Sequence, residues 1–133
     1  MNIKNSTEIE VTTELDLSNT IRDFTNALVD TAHYKKYEST SEEFQNDQEA
    51  QKALQEYRAK AKDLQTKQML NIISQAEQKD LEQLWVAFQG FNSVQNFFEA
   101  QEAFQSLCRD CAQVISDNCG LDYATSCGAS CCG

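Results

Sequence analysis

The feature that most constrains this chain is the absence of proline, together with the scarcity of glycine. Its 133 residues contain no proline and four glycines, and the first glycine is Gly90. Because these two residues most often interrupt regular structure, the sequence favours long, uninterrupted helices. A chain of this length can bury a core as one domain when the apolar residues lie on one side of each helix. We therefore predict an all-α fold.

Apolar residues recur at helical spacing, with about 3.6 residues per turn, in four longer segments. These stripes are Leu17, Ile21, Phe24, Leu28 and Ala32; Ala50, Leu54, Tyr57, Ala61 and Leu64; Leu81, Leu84, Trp85 and Phe88; and Val94, Phe97, Phe104, Cys108, Cys111 and Ile115. A short segment around Phe44 adds one more helix. The pattern predicts an antiparallel bundle of four longer helices and one short helix.

Capping residues locate the expected helix starts, since Ser, Thr, Asp and Asn accept hydrogen bonds from the first free N–H groups. Thr40 and Glu43 have the spacing of a capping box, which predicts the start of the short helix. The other predicted caps are Asp16 or Ser18 for the first helix, Asp47 for the second long helix, and Asn92 or Ser93 for the last helix.

Composition divides the chain into three parts. Residues 1–14 are polar and lack a helical period, which predicts a mobile N-terminal arm. Residues 15–119 form the predicted helical domain. Residues 120–133 consist mostly of Gly, Ser, Ala and Cys, which predicts an irregular, cysteine-rich C-terminal tail.

Charge and hydropathy exclude several partners. The formal net charge is -10 at pH 7, whereas nucleic acids and anionic membranes reward clustered Lys and Arg. Residues 1–13 contain no apolar run of the signal-peptide kind, and the chain offers no membrane-spanning segment. We therefore expect a cytoplasmic protein with no direct contact with nucleic acid or membrane.

All six cysteines lie in the last 26 residues, from Cys108 onward. In a reducing compartment such clustering indicates metal or redox chemistry before disulfides. The candidate metal ligands are Cys119, Cys127, Cys131 and Cys132. Four thiolates suit an iron–sulfur cluster, and a partner subunit could replace Cys119 as the fourth ligand. Zinc is the alternative metal, although the spacing matches no standard zinc motif.

Cys108 and Cys111 have the two-residue spacing of redox motifs, but they share a helix face with Phe104 and Ile115. Cysteine at such a position behaves as a small apolar residue. A reactive pair normally lies at a helix N-terminus, whose dipole favours the thiolate. We therefore favour core packing for these two residues, and we assign no catalytic role to them or to the lone His33.

Three segments are distinctive: Phe97-Phe98-Glu99-Ala100-Gln101-Glu102, Ile115 through Gly120-Leu121-Asp122-Tyr123, and the ending Cys-Gly-Ala-Ser-Cys-Cys-Gly. With them, the chain from about residue 15 onward resembles the YlbF/YmcA family of small helical bacterial regulators. The resemblance implies a non-enzymatic protein in a complex with relatives and a third protein, YaaT. It further implies links to competence, sporulation, biofilm formation, ribonuclease Y-dependent RNA processing and a bound 4Fe–4S cluster. The pair Cys108 and Cys111 departs from the family pattern.

A partner surface is predicted on the last helix. With Phe97 as zero, Phe98 projects about 100° to one side of the core stripe, and Leu107 and Val114 project a similar angle to the other. A small bundle has difficulty covering so broad an apolar surface. We therefore assign Phe98 to an interface in a homo-oligomer, or in a hetero-oligomer with related helical proteins and a YaaT-like subunit.

The leading hypothesis is a non-enzymatic regulatory or assembly subunit whose cysteine tail binds or completes an iron–sulfur cluster. The alternative is a thiol redox or metal-delivery protein that works alone with zinc. A third interpretation, an acidic helical protein that holds unfolded chains, depends only on the amphipathic helices, and the tail argues against it.

Overall fold

Six helices and no strand make up the part of the chain that the computed structural model describes, residues 3–126, with side chains from residue 13 onward. They are α1 (Ile3–Val29), α2 (Ala32–Asn46), α3 (Gln48–Met69), α4 (Gln75–Gln89), α5 (Asn92–Cys119) and α6 (Tyr123–Ser126). The all-α prediction is confirmed. The chain divides into two compact units, Met1–Lys35 and Lys36–Gly133, and the boundary falls within α2.

The first helix begins much earlier than the sequence pattern predicts. α1 starts at Ile3, so Asp16 and Ser18 lie inside the helix and the predicted cap at these residues is wrong. No proline or glycine interrupts the polar residues before Leu17, and glutamate is a good helix former. An apolar period therefore locates the face of a helix but not its end. The predicted division into a mobile arm, a helical domain and a tail stays a prediction.

The predicted capping box at Thr40 and Glu43 is also wrong, because α2 begins at Ala32. Thr40 is 6% exposed, and its hydroxyl donates a 2.8 Å hydrogen bond to the Lys36 carbonyl within the helix. The residue before α2, Thr31, instead accepts a 3.2 Å hydrogen bond from the Tyr34 N–H at its side-chain oxygen. The predicted short helix is thus the second half of a helix of 15 residues.

α3 and α4 form a helical hairpin with well-defined caps. Asp47 accepts a 3.1 Å hydrogen bond from the Ala50 N–H, which confirms the predicted cap of α3. α4 begins with a capping box that the sequence analysis missed, in which Ser74 and Glu77 bond reciprocally to each other's backbone. The Lys67 ammonium pairs with Glu77 across the hairpin and with Asp63 at 3.3 Å.

The start of α5 is tied to the start of α3. Phe91 precedes α5 without a capping side chain, so the predicted cap at Asn92 or Ser93 is wrong. The Ser93 hydroxyl instead donates a 2.6 Å hydrogen bond to the Asp47 carboxylate. That bond lowers the pKa of Asp47 below its usual value, helped by the bond from the Ala50 N–H. α5 ends at Cys119, and the C-cap residue Gly120 takes a left-handed φ of 68° that glycine adopts without strain.

The core of the second unit lies where α3, α4 and α5 meet. Ala50, Phe88 and Val94 are buried together, and five partly buried residues pack against them: Phe44, Ala53, Leu54, Trp85 and Phe91. Aromatic rings join α2 to this core and to α5. The Phe44 ring lies 6.0 Å from that of Phe88 and 5.4 Å from that of Phe97, measured between centroids.

Acid is expected to weaken the α3–α4 hairpin through Glu77. The bond from the Lys67 ammonium, followed by the bond from the Ser74 N–H, lowers the pKa of Glu77 from 4.5 to about 2. The folded state therefore binds this proton less readily than the unfolded state, so the stabilisation is complete above about pH 5 and is lost as the pH falls toward 2. Thermal melts should show a smaller loss of stability over this range for Glu77→Gln than for the wild type.

Glu82→Gln provides the matched control, since Glu82 is an exposed carboxylate on the same helix. This variant should follow the wild-type pH dependence. An equal response of Glu77→Gln and Glu82→Gln to acid would contradict the assigned role of the Lys67 ion pair.

Candidate functional site

Of the four candidate metal ligands, the described residues include Cys119. It is the last residue of α5, and its side chain is exposed. Cys127, Cys131 and Cys132 lie outside the described residues, so the metal site stays a prediction. Among residues 13–126, whose side chains the structure describes, no three His, Cys, Asp or Glu are grouped so that they could hold a metal ion.

The segment that follows Cys119 turns back onto α5. The Ser116 hydroxyl on α5 accepts a 3.0 Å hydrogen bond from the Tyr123 N–H at the start of α6. Asp122 caps this short helix, because its carboxylate accepts bonds from the N–H of Thr125 at 3.3 Å and from its hydroxyl at 2.6 Å. These bonds lower the pKa of Asp122. These hydrogen bonds thus hold the segment that follows Cys119, as far as Ser126, against the C-terminal end of α5.

This turn was not predicted from the sequence, although Asp122 and Thr125 have the spacing of a helix cap. The ordered turn has a consequence for Cys119. It lies within a few residues of Ser116 and Tyr123, whose hydrogen bond fixes the backbone around the end of α5. Its exposed thiol therefore lies at a helix end whose backbone this hydrogen bond holds.

Cys108 and Cys111 lie on successive turns of α5, and both side chains are half-buried. They are neither part of the buried core nor open to solvent. The interpretation of this pair as packing residues stays a prediction.

Phe98 lies at the edge of the aromatic core. Its ring centroid is 6.2 Å from that of Phe88, 6.4 Å from that of Trp85 and 5.8 Å from that of Phe97. Although α4 supplies two of these contacts, 37% of Phe98 is exposed. On the opposite flank Val114 is exposed as well. The assignment of Phe98 to a partner interface stays a prediction.

A second apolar surface lies on α1 and was missed by the sequence analysis. Leu17, Ile21 and Phe24 are exposed, and 54% of Ile21 is accessible. The same spacing is typical of a stripe that faces its own core, so periodicity alone could not identify this surface. A third group, Met69, Leu70 and Ile72, is exposed at the turn between α3 and α4.

Comparison with known proteins identifies one family whose model matches this chain. The family model described as control of competence regulator ComK, YlbF/YmcA, matches residues 17–118, which is most of the chain. No curated protein and no solved structure shows a significant match. Along the part that the structure describes, every helix is too short or too polar to cross a membrane.

Proposed function

Because the chain belongs to the YlbF/YmcA family of competence-regulator proteins, we propose that it is a non-enzymatic regulatory or assembly subunit of a multiprotein complex. In this role it binds related helical proteins and a YaaT-like subunit in the cytoplasm. The complex influences competence, sporulation and biofilm formation, and it affects RNA processing indirectly through ribonuclease Y.

The observation that carries the proposal is that the described residues include more large apolar side chains that are exposed than apolar side chains that are buried. The buried apolar residues among the described ones are Ala50, Leu64, Phe88, Val94 and Ala100. The exposed large ones are Leu15, Leu17, Ile21, Phe24, Met69, Leu70, Ile72, Val86, Phe98, Val114, Leu121 and Tyr123. Several of them share one helix face, as Leu17, Ile21 and Phe24 do on α1, and contiguous apolar surface of this kind is typical of sites that bind a partner.

Phe98 is the residue that we propose for the contact with a related helical protein. The Phe98 ring already packs against Trp85 and Phe88 in the free protein. Little side-chain conformational entropy is therefore lost when a partner binds it. A partly exposed aromatic ring on a rigid support is the kind of anchor that dominates many interfaces.

The tail is proposed to hold a 4Fe–4S cluster through Cys119, Cys127, Cys131 and Cys132, with zinc as the alternative metal. The donor set fits, because four thiolates are the usual ligands of such a cluster, and the exposed position of Cys119 leaves its thiol accessible. A bound cluster would supply sensitivity to oxygen and redox state. If a partner subunit provides one thiolate, the cluster would also join two chains.

Phe98→Glu should abolish binding to a related family member that is encoded in the same genome and co-expressed with it. The change places a charge in a contact that depends on an apolar ring, and burying an unpaired charge is unfavourable. Co-purification followed by light scattering measures the mass of the complex. The variant should still be helical by circular dichroism, because the Phe98 side chain is partly exposed.

Ala103→Glu is the matched control, since it adds the same charge at an exposed position on α5. The control should bind the relative as the wild type does. A Phe98→Glu protein that is folded and still forms the complex would remove Phe98 from the interface.

The exposed Cys119 thiol also favours a second candidate function, that of a stand-alone thiol redox or zinc-delivery protein. The two functions differ in where the metal is retained. Anaerobic absorption spectra with metal analysis would compare the protein purified alone and with its relative. Metal held and exchanged by the protein alone supports the second function, whereas metal held only in the complex supports the first.

A further inference from the structure

Two thiols on α5 have no role in the proposed function. Cys108 and Cys111 are three residues apart on this helix, and both side chains are half-buried. Residues at this spacing are neighbours on a helix surface, with Cβ atoms about 5–6 Å apart. The two sulfur atoms can therefore reach the same point beside α5, while neither is closed off from solvent.

The distance between the two Cβ atoms favours a bridging ion over a disulfide. A disulfide requires Cβ atoms about 3.5–4.5 Å apart, so its formation would distort this turn of α5. A metal ion with metal–sulfur distances of about 2.3 Å holds two sulfur atoms up to about 4.6 Å apart. The pair can span that distance while α5 keeps its regular helical form.

The number of donors selects the class of ion. Among residues 13–126, no three His, Cys, Asp or Glu side chains are grouped around one point, so the pair supplies two ligands. Cys119 lies eight residues beyond Cys111, about 12 Å further along the helix axis. Zinc sites in proteins use three or four protein ligands. Soft thiolates also select Cu(I), and this ion is stable between two thiolates in a linear arrangement.

The surroundings of the pair suit a soft cation. Phe104 lies one turn before Cys108, Ile115 lies one turn after Cys111, and both are half-buried on the same face of α5. Such apolar neighbours limit the access of water and offer no oxygen ligand, which controls the kind of ion that a site holds. The net charge of -10 attracts cations to the protein as a whole.

We propose that Cys108 and Cys111 bind one Cu(I) ion in a two-coordinate site on α5. On binding, the two thiols lose their protons and the copper keeps its oxidation state, as for other thiolate sites. The inference goes beyond the proposed function and does not depend on the tail, because both ligands belong to α5. Copper bound here is counted separately from the iron or zinc of the tail.

The test uses the full chain with its other four cysteines, Cys119, Cys127, Cys131 and Cys132, replaced by Ser. This protein is titrated anaerobically with Cu(I) in the presence of bicinchoninate, a coloured Cu(I) chelator that competes for the ion. The protein should withdraw one copper ion per chain from the chelator. Circular dichroism should show unchanged helicity on binding, and light scattering should show the same mass with and without copper.

Two controls are made in the same background. Cys111→Ala leaves a single thiol, and Asp110→Cys combined with Cys111→Ala keeps two thiols but places them about 200° apart around the helix. Both controls should keep the helicity of the parent protein, since alanine is the best helix former, and both should leave the copper with the chelator.

Three results would overturn the inference. In the first, the parent protein fails to withdraw copper from the chelator. In the second, the variant with Asp110→Cys binds copper as well as the parent protein does, so that any two thiols suffice. In the third, copper raises the mass in light scattering, which would mean that the ion joins thiols of two chains.

Discussion

Replacing Phe88 with Ala is expected to destabilise the second unit by about 3–5 kcal/mol. The side chain is 2% exposed and lies between the rings of Phe44 and Trp85. Truncation removes a buried aromatic ring from a small core and leaves a cavity that the surrounding helices fill only in part. Since small domains are stable by about 5–15 kcal/mol, this loss is a large share of the free energy of unfolding of the unit. Urea denaturation followed by circular dichroism measures the loss.

Val86→Ala is the matched control, because Val86 lies two residues away on α4 and is 67% exposed. Its effect should stay within about 0.5 kcal/mol, as for most surface substitutions. If the two variants lose similar amounts of stability, the ring of Phe88 is not the centre of this core.

Replacing Cys127, Cys131 and Cys132 together with Ser is expected to abolish metal retention while helicity and melting temperature stay close to those of the wild type. The physical reason is that hydroxyls are poor ligands for iron–sulfur clusters and zinc. The buried residues of the described chain lie between Thr40 and Ala100, and the three substitutions leave all of them unchanged. Anaerobic metal analysis of protein that is co-purified with its relative, together with thermal melts, measures both properties.

Cys111→Ser is the control for this experiment, since it also removes a thiol but from the half-buried face of α5. It should retain the metal at the wild-type level. Two results would contradict the assignment: a large loss of helix in the triple variant, which would make the tail structural, or metal that remains bound without the three thiols.

The type of each main element could be predicted because helical periodicity is strong and proline is absent. The cap at Asp47 was predicted because Asp precedes the apolar stripe of α3. The same signal at Asp16 failed, because the helix already begins at Ile3. Thr40 shows where such reasoning fails. A threonine that caps a helix and one that bonds back to Lys36 within a helix can stand in the same local sequence, and only the chain before it, from Ala32 onward, decides between them.

The candidate surfaces were predictable to different degrees. Phe98 could be separated from the core stripe because its angle on α5 differs from that of Phe97. Ile21 and Phe24 could not be identified as exposed, because an apolar stripe has the same period whether its own chain or another covers it. For the cysteines, the sequence indicates the class of ligand, while the positions of the sulfur atoms depend on contacts that no spacing encodes.

The packing of α3, α4 and α5 has a consequence for how the protein folds. α3 with α4 and α4 with α5 are neighbours in the sequence, and residues 70–74 and 90–91 connect them. Short connections lose little entropy on closure, and such low contact order is typical of chains that fold within about microseconds to milliseconds. The contacts of Tyr37 and Phe44 with Phe97 span a much longer stretch. On the ribosome the hairpin of α3 and α4 can therefore form first, whereas Tyr37 and Phe44 on α2 can contact Phe97 only after α5 has been synthesised.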